Sequence, residues 1–356
     1  MKKLRIGLIG CGGMGSGAHA PSYDAIENIE IVAFCDIKIE KAQALADKYG
    51  VKNVFENYLD LINMEGIDAV GIATPNYLHS TIAVAALERG LHVLCEKPDA
   101  VSTVEAQKMK DAAEKSGKTL MVIRNNRFMN VSKYTKEYIE AGKMGEVYAA
   151  RCGWQRRRGI PGKGGWFTTK EQSGGGPLID LGVHMIDLTM WLMGNPTPVS
   201  VVGSVYNKFA ETTTSDSIHS QFGEAKENGT FDVEDLATGF IRFDNGACLQ
   251  LEFSWASNID VESRYCELRG TKSGATWTTE DQKLMFYTEA YGKTVDLDPR
   301  VDNVNSEDPH RINIRHFADV VLNGADPVFV PEQGLNMVKI LEAIYKSAET
   351  GREVLL

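Results

Sequence analysis

No stretch of about 18 uninterrupted apolar residues occurs anywhere in the chain, so no membrane-spanning helix is expected. Paired cysteines are also missing. The six cysteines (Cys11, Cys35, Cys95, Cys152, Cys248 and Cys266) form no CxxC motif, and most lie in apolar, strand-like surroundings. That pattern argues against a disulfide framework or a zinc site and fits reduced thiols in a cytoplasmic protein. Positive charge is in deficit, with 38 Lys and Arg against 48 Asp and Glu. The balance excludes a general nucleic-acid or anionic-membrane surface but leaves small substrates open. Internal repeats and low-complexity tracts are absent. Met1-Lys2-Lys3 followed by Leu8-Ile9-Gly10-Cys11 loosely imitates a lipoprotein signal. Its apolar part is too short and is interrupted by Arg5, so a strand entering a glycine loop explains it better.

What is present is an alternation of strand and helix patterns over the first third. Leu4–Ile9 reads as a strand, followed by Gly10-Cys11-Gly12-Gly13-Met14-Gly15, which fits GxGxxG. Glycines at this spacing let a backbone approach a pyrophosphate and present helix-start N–H groups to it. A second strand, Ile31–Cys35, ends in Asp36, 21 positions after Gly15 and close to the place of a ribose-binding carboxylate. Such an acid accepts from the ribose hydroxyls and repels a 2′-phosphate, which favours NAD over NADP. The nearby Lys38 leaves dual use open. Further strands are expected at 54–55, 68–73, 91–95 and 119–123, with helices over 39–49, 58–64, 79–89 and 104–115. This is the signature of a doubly wound parallel sheet.

At the carboxyl edges of these strands lie Thr74, Pro75, Asn76 and His79, candidates to line a cofactor groove, and Glu96-Lys97-Pro98. His79 reads equally well as a helix-start residue bonded to backbone. Pro98 pushes Lys97 toward an extended or pre-cis conformation. The first domain is taken as 1–124 and the second as 125–356.

The second half begins with a helix over 132–141 and a strand over 147–152. A glycine-rich loop follows, from Gln155 through Arg156, Arg157 and Arg158 to Trp166. The arginines could hold an anion or pair with surface acids. Trp166 offers a flat face to a nicotinamide or sugar ring, or simply anchors the loop. Gly174-Gly175-Gly176-Pro177 then opens a helix carrying Asp180 and His184 on one face. This pair could position a proton acceptor beside an alcohol, or be an intrahelical pair in a core. A metal pair is disfavoured because no further ligands stand at telling spacing. Alternating segments at 199–206, 237–243, 247–255, 265–269 and 274–278 suggest a mostly antiparallel sheet, and 313–322 and 331–350 read as closing helices. One open sheet face is a natural subunit interface, so a homodimer or homotetramer is expected.

The GxGxxG opening, Ala73-Thr74-Pro75-Asn76, Glu96-Lys97-Pro98 and Gly174–His184 together resemble the glucose-fructose oxidoreductase/inositol dehydrogenase/MocA family. Val233-Glu234-Asp235-Leu236-Ala237 and Ala343–Ala348 extend the resemblance over nearly the whole chain. It implies a Rossmann domain joined to an α/β domain with an open sheet, and NAD(P)-dependent oxidation of a sugar or cyclitol hydroxyl. By position, Lys97 matches the lysine that bonds the reacting hydroxyl, and Asp180 and His184 match the acid and histidine of inositol dehydrogenases. Glu96 matches the residue whose neighbourhood holds the nicotinamide. Arg127 and Trp166 are looser matches, and the arginine run is not a general family feature. In this scheme His184 takes the hydroxyl proton and Lys97 steadies the alkoxide. Competing roles within the same architecture are an NAD-retaining glycosidase-like enzyme and a non-catalytic cofactor sensor.

Overall fold

A computed structural model describes residues 2–215, 222–278, 283–301 and 307–356. The chain divides into two compact units, 1–125 with 307–338 and 126–306 with 339–356.

The first unit is built on six strands: β1 (Leu4–Ile9), β2 (Ile29–Cys35), β3 (Asn53–Phe55), β4 (Ala69–Ile72), β5 (His92–Cys95) and β6 (Leu120–Val122). They pair in the order β3-β2-β1-β4-β5-β6, and every pairing is parallel. The strand order reverses beside β1, where β2 and β4 leave in opposite directions, which is where such sheets take nucleotides. Both faces are covered by helices, so β4 is buried along its whole length and reads as an apolar run without alternation.

Segment 307–338 belongs to this first unit rather than to the second, where its place in the sequence had put it. The helix Pro309–Asn323 packs on β1 and β5. Ile314, Phe317, Ala318, Phe329, Leu335 and Val338 join the core of the parallel sheet. Apolar periodicity shows that this helix has a buried face, but not which sheet buries it.

Among the described residues the second unit carries nine strands: β7 (Val147–Gln155), β8 (Pro198–Tyr206), β9 (Leu236–Phe243), β10 (Cys248–Ser254), β11 (Ser263–Gly270), β12 (Gly274–Thr278), β13 (Leu284–Ala290), β14 (Lys293–Leu297) and β15 (Val354–Leu355). Their order is β14-β13-β12-β11-β7-β10-β9-β8-β15, antiparallel except where β7 meets β10. The helix Val183–Leu192 lies on β7 and β11. Beneath the helices, Ala150, Cys152, Leu251, Phe253, Cys266 and Leu268 are buried, alternating with outward Arg151, Glu252 and Glu267. β13, β14 and β15 add to the strands expected from sequence. The polar connection over 211–235 is partly tied down, with Lys226 N–H donating to Lys163 O and Asp232 N–H to Thr168 O. Its residues 216–221 lie outside the described structure.

Candidate functional site

On the first unit, the glycine loop leaves β1 at Gly10, whose φ of +97° suits only glycine and whose absent side chain lets Ala73 O approach. A Cβ on Gly15 would lie 2.0 Å from Gly10 O, so this glycine closes the turn on itself. Around Gly12 and Gly13, by contrast, added Cβ atoms would meet nothing within 4 Å. Met14 is exposed beside them. The following turn, Gly15–His19, winds as a π-helix before the α-helix Ala20–Ala25.

Asp36 caps the end of β2 over this loop. Its Oδ2 accepts Cys11 N–H at 2.8 Å and its Oδ1 accepts Lys38 N–H at 2.9 Å. The carboxylate is therefore fixed in direction while remaining half-buried. Across the switch point, Thr74 and Pro75 are half-buried and Asn76 is buried; Thr74 Oγ1 is a buried hydroxyl with no protein partner. An open glycine turn, a fixed carboxylate on the neighbouring strand and an unpartnered hydroxyl opposite are a set that fits a dinucleotide.

His79 does not line the groove. It is fully buried, with Nδ1 2.7 Å from Pro98 O and Nε2 3.0 Å from Thr74 O. Burial pushes its pKa down and the two carbonyls oppose that push. Its role is to tie the end of β4 to the end of β5, the backbone reading open from the sequence.

Glu96 is likewise not presented to a ligand. It is 5% exposed, and its Oε1 sits 2.9 Å from His19 Nε2 and 2.8 Å from His310 Nε2. Burial alone would raise its pKa, but the hydrogen bonds and charge of the two imidazoles hold it well below the usual carboxylate range. His19 is pushed down by burial against the pull of Glu96, whereas at His310 the carboxylate outweighs burial and raises the pKa. Lys97 follows, and from Val93 to Ala100 it is the one residue that is not buried. The Lys97–Pro98 bond is cis. Beyond it, Asp99 forms a buried ion pair with Arg124.

On the second unit, the glycine run admits a distant side chain and a distant stretch of backbone. A Cβ on Gly175 would meet Tyr345 Oη at 1.9 Å, and one on Gly176 would meet Glu234 O at 2.0 Å. Glu234 in turn accepts Gly176 N–H at 2.9 Å, Leu178 N–H at 3.1 Å and the Tyr345 hydroxyl at 3.0 Å. It thereby serves the free N–H groups at a helix start. Leu178–Gly182 is a second π-helical turn, continued by Val183–Leu192. Local π-turns recur at functional positions in helices.

Asp180 lies within that turn, half-buried, and Trp255 Nε1 donates to its Oδ2 at 3.0 Å. His184 is half-buried, its ring 6.2 Å from that of Trp154. The guanidiniums of Arg156 and Arg264 lie over Trp154 at 5.1 and 4.4 Å from its centroid. Arg156 is buried; one of its N–H groups donates to Gly159 O and its Nε has no protein partner. Burial lowers its pKa, against the influence of Asp180 and Glu262. Arg158 is spent locally on Arg157 O, Ser257 O and Asn258. Trp166 stacks on Phe167 with centroids 3.9 Å apart, which favours its loop-anchor reading.

Arg127 is a correction. It is 2% exposed and makes a two-pronged pair with Asp187, Nε to Oδ2 at 2.8 Å and Nη2 to Oδ1 at 2.7 Å. That geometry holds a helix in place and is not a substrate contact. Sequence reasoning also passed over His19, His310, Tyr23, Trp255, Glu234 and Tyr345. Glu234 and Tyr345 lay inside quoted motifs; the others carried no local signal.

Two family models match the chain: an oxidoreductase family NAD-binding Rossmann fold over residues 4–124, and the oxidoreductase family C-terminal alpha/beta domain over 136–356. The chain is 36% identical to D-glucoside 3-dehydrogenase of Escherichia coli (strain K12), covering 99% of this chain and 97% of that protein. It is 26% identical to an NADP(+) scyllo-inositol 2-dehydrogenase of Bacillus subtilis (strain 168), covering 99% and 96%. A solved levoglucosan dehydrogenase in complex with NADH superposes with a TM-score of 0.87 at 25% identity, covering 99% of each chain.

Proposed function

The chain belongs to the glucose-fructose oxidoreductase/inositol dehydrogenase/MocA oxidoreductase family, and from that premise we propose that it oxidises a secondary ring hydroxyl of a glucoside, sugar or cyclitol with NAD. The observation that carries the reading is the setting of Lys97. It is the one partly exposed side chain in an otherwise buried run at the carboxyl end of a central strand, between Glu96, held by His19 and His310, and Pro98, whose carbonyl meets His79. Similarity to a glucoside 3-dehydrogenase over almost the full length supports a glucoside as the first substrate to test.

When bound, NAD supplies the hydride acceptor, and Gly12, Gly13, Thr74 and Asp36 are the residues that would hold it. His184 takes the proton from the hydroxyl, because an imidazole titrates near neutrality. The Lys97 ammonium stabilises the oxyanion that develops as the proton leaves. Asp180, aimed by Trp255, holds a second hydroxyl of the ring or orients His184. NAD is preferred over NADP because the Asp36 carboxylate would face a 2′-phosphate. Arg156 is retained as a substrate-side group on account of its unpartnered Nε.

The protein works in the cytoplasm, in keeping with six free cysteines. It assembles as a homodimer or homotetramer through the outer face of the nine-stranded sheet, where Val202 and Tyr287 are exposed. Light scattering of the parent and of Val202→Glu tests the assembly.

The activity is tested by screening glucosides, free sugars and cyclitols with NAD, following absorbance of the reduced cofactor. Release of stoichiometric NADH is expected, with Lys97→Met and His184→Ala each losing turnover while still binding NAD. Near-normal turnover in either variant would overturn its assigned role.

A further inference from the structure

Glu96, the residue before Lys97, meets two histidines that stand 77 positions before it and 214 after it. A single carboxylate oxygen, Oε1, is shared by His19 Nε2 at 2.9 Å and His310 Nε2 at 2.8 Å. The other oxygen, Oε2, accepts the backbone N–H of Lys97 at 3.2 Å. His19 is 0%, and Glu96 and His310 are each 5%, exposed. The second nitrogen of His19 lies 2.9 Å from Tyr23 Oη. That hydroxyl occupies the space left by Gly71 on β4, where a Cβ would stand 2.0 Å from it.

His19 ends the π-turn that starts at Gly15, so it reports the position of the glycine loop. His310 lies in the first turn of Pro309–Asn323, where its N–H is capped by Asp308 at 3.0 Å. The anchoring is thus rigid at both ends. A buried ionic cluster of this sort is a poor device for stability, because desolvation consumes most of what the charges gain. It is a good device for fixing direction, since three donors converge on one carboxylate.

We propose that His19 and His310 are positioning residues that, through Glu96, lock the backbone of Lys97 in register with the dinucleotide loop. Displacement of the loop or of the helix Pro309–Asn323 is passed to the lysine through two short hydrogen bonds. The inference rests on Lys97 being the group that acts on the hydroxyl.

The same three side chains are of metal-ligating type, with ligand atoms within 4.8 Å of one another. Their separations are those of hydrogen bonds, and the remaining oxygen of Glu96 is already engaged by Lys97 N–H. The metal content of the purified protein discriminates the two arrangements.

The test compares His19→Ala, His310→Ala, His310→Gln and Glu96→Gln with the parent, using NAD and the ring alcohol that the screen ranks first. Each alanine variant should lower kcat by about tenfold to a hundredfold, as small misplacements at a reacting centre do. The Kd for NAD of His310→Ala, read by fluorescence, should stay within about twofold if the loop itself is intact. The primary isotope effect with a deuterated alcohol should rise, and His310→Gln, which keeps a side-chain N–H donor, should recover part of the rate. Should an alanine variant fail to fold, the isosteric Glu96→Gln carries the same expected loss. Lowered Tm with parental kcat and isotope effect in the folded variants would overturn the proposal. So would one equivalent of zinc in the purified protein whose removal by chelator abolishes turnover. Lys97→Met sets the reference: full activity there sinks the role of Lys97, whereas an inactive Lys97→Met with fully active histidine variants sinks only the coupling.

Discussion

Trp255 donates its indole N–H to Asp180 Oδ2 at 3.0 Å. The tryptophan is 0% exposed and follows directly on β10, and its own backbone N–H is held by Asp235 O. Asp180 is thus aimed by a strand of the nine-stranded sheet and not only by the helix that carries it. Trp255→Phe keeps the ring packing and removes the donor. It should lower kcat/KM by about tenfold, the scale of one hydrogen bond to a charged acceptor, with little change in the Kd for NAD. Steady-state kinetics beside a cofactor titration check this.

Asp36 should decide between the cofactors. Asp36→Ser removes the charge at the end of β2 and one of the two backbone anchors. The ratio of kcat/KM for NADP to that for NAD should rise by about tenfold or more, mainly through a weaker grip on NAD. An unchanged ratio would show that the carboxylate does not meet the ribose.

The Glu96–His310 pair gives a pH dependence of known sign. His310 is raised above its ordinary value of 6.5, so its stabilisation is fully present below 6.5 and is lost as pH rises through the higher folded value. Glu96 is lowered from 4.5, so its share is full above 4.5 and is lost as pH falls toward its folded value. The stability difference between the parent and His310→Gln should therefore be largest between about pH 4.5 and 6.5 and should shrink as pH rises beyond that window. Urea melts of both proteins across the range provide the measurement. A difference that grows with alkalinity would mean that His310 is neutral beside the carboxylate.

Arg127 and Asp187 should behave as a structural pair. Their side chains are 1% and 5% exposed. Removing either partner alone leaves a buried charge and should cost about 3–5 kcal/mol, whereas Arg127→Met with Asp187→Leu should cost much less. Thermal melts of the singles and the double decide it. The folded double variant should retain its KM for the alcohol, since neither group faces the substrate.

The legible parts of this molecule were those whose signal is local. The parallel strands announced themselves as apolar runs between helical periods, and β5 led straight to Lys97. Strand β13 escaped because Leu284–Tyr287 is an apolar run with no alternation in sequence, β14 because it is largely exposed, and a two-residue strand such as β15 has no period to detect. Arg127 was misread because an arginine looks the same in sequence whether it faces a ligand or an aspartate 60 positions away. His79 and Glu96 were placed at the correct strand ends, but their side chains turn inward to backbone and to histidines.

By itself the sequence determined the elements, the glycine turns and the chemical types at each strand end, because periodicity and backbone freedom act over a few residues. Only the tertiary structure decided which of those side chains are presented and which are consumed. Lys97 stays partly open while Glu96 is consumed by His19 and His310, and Asp180 takes its direction from Trp255. These choices depend on groups brought together from far along the chain, where burial forces each polar atom to find a partner.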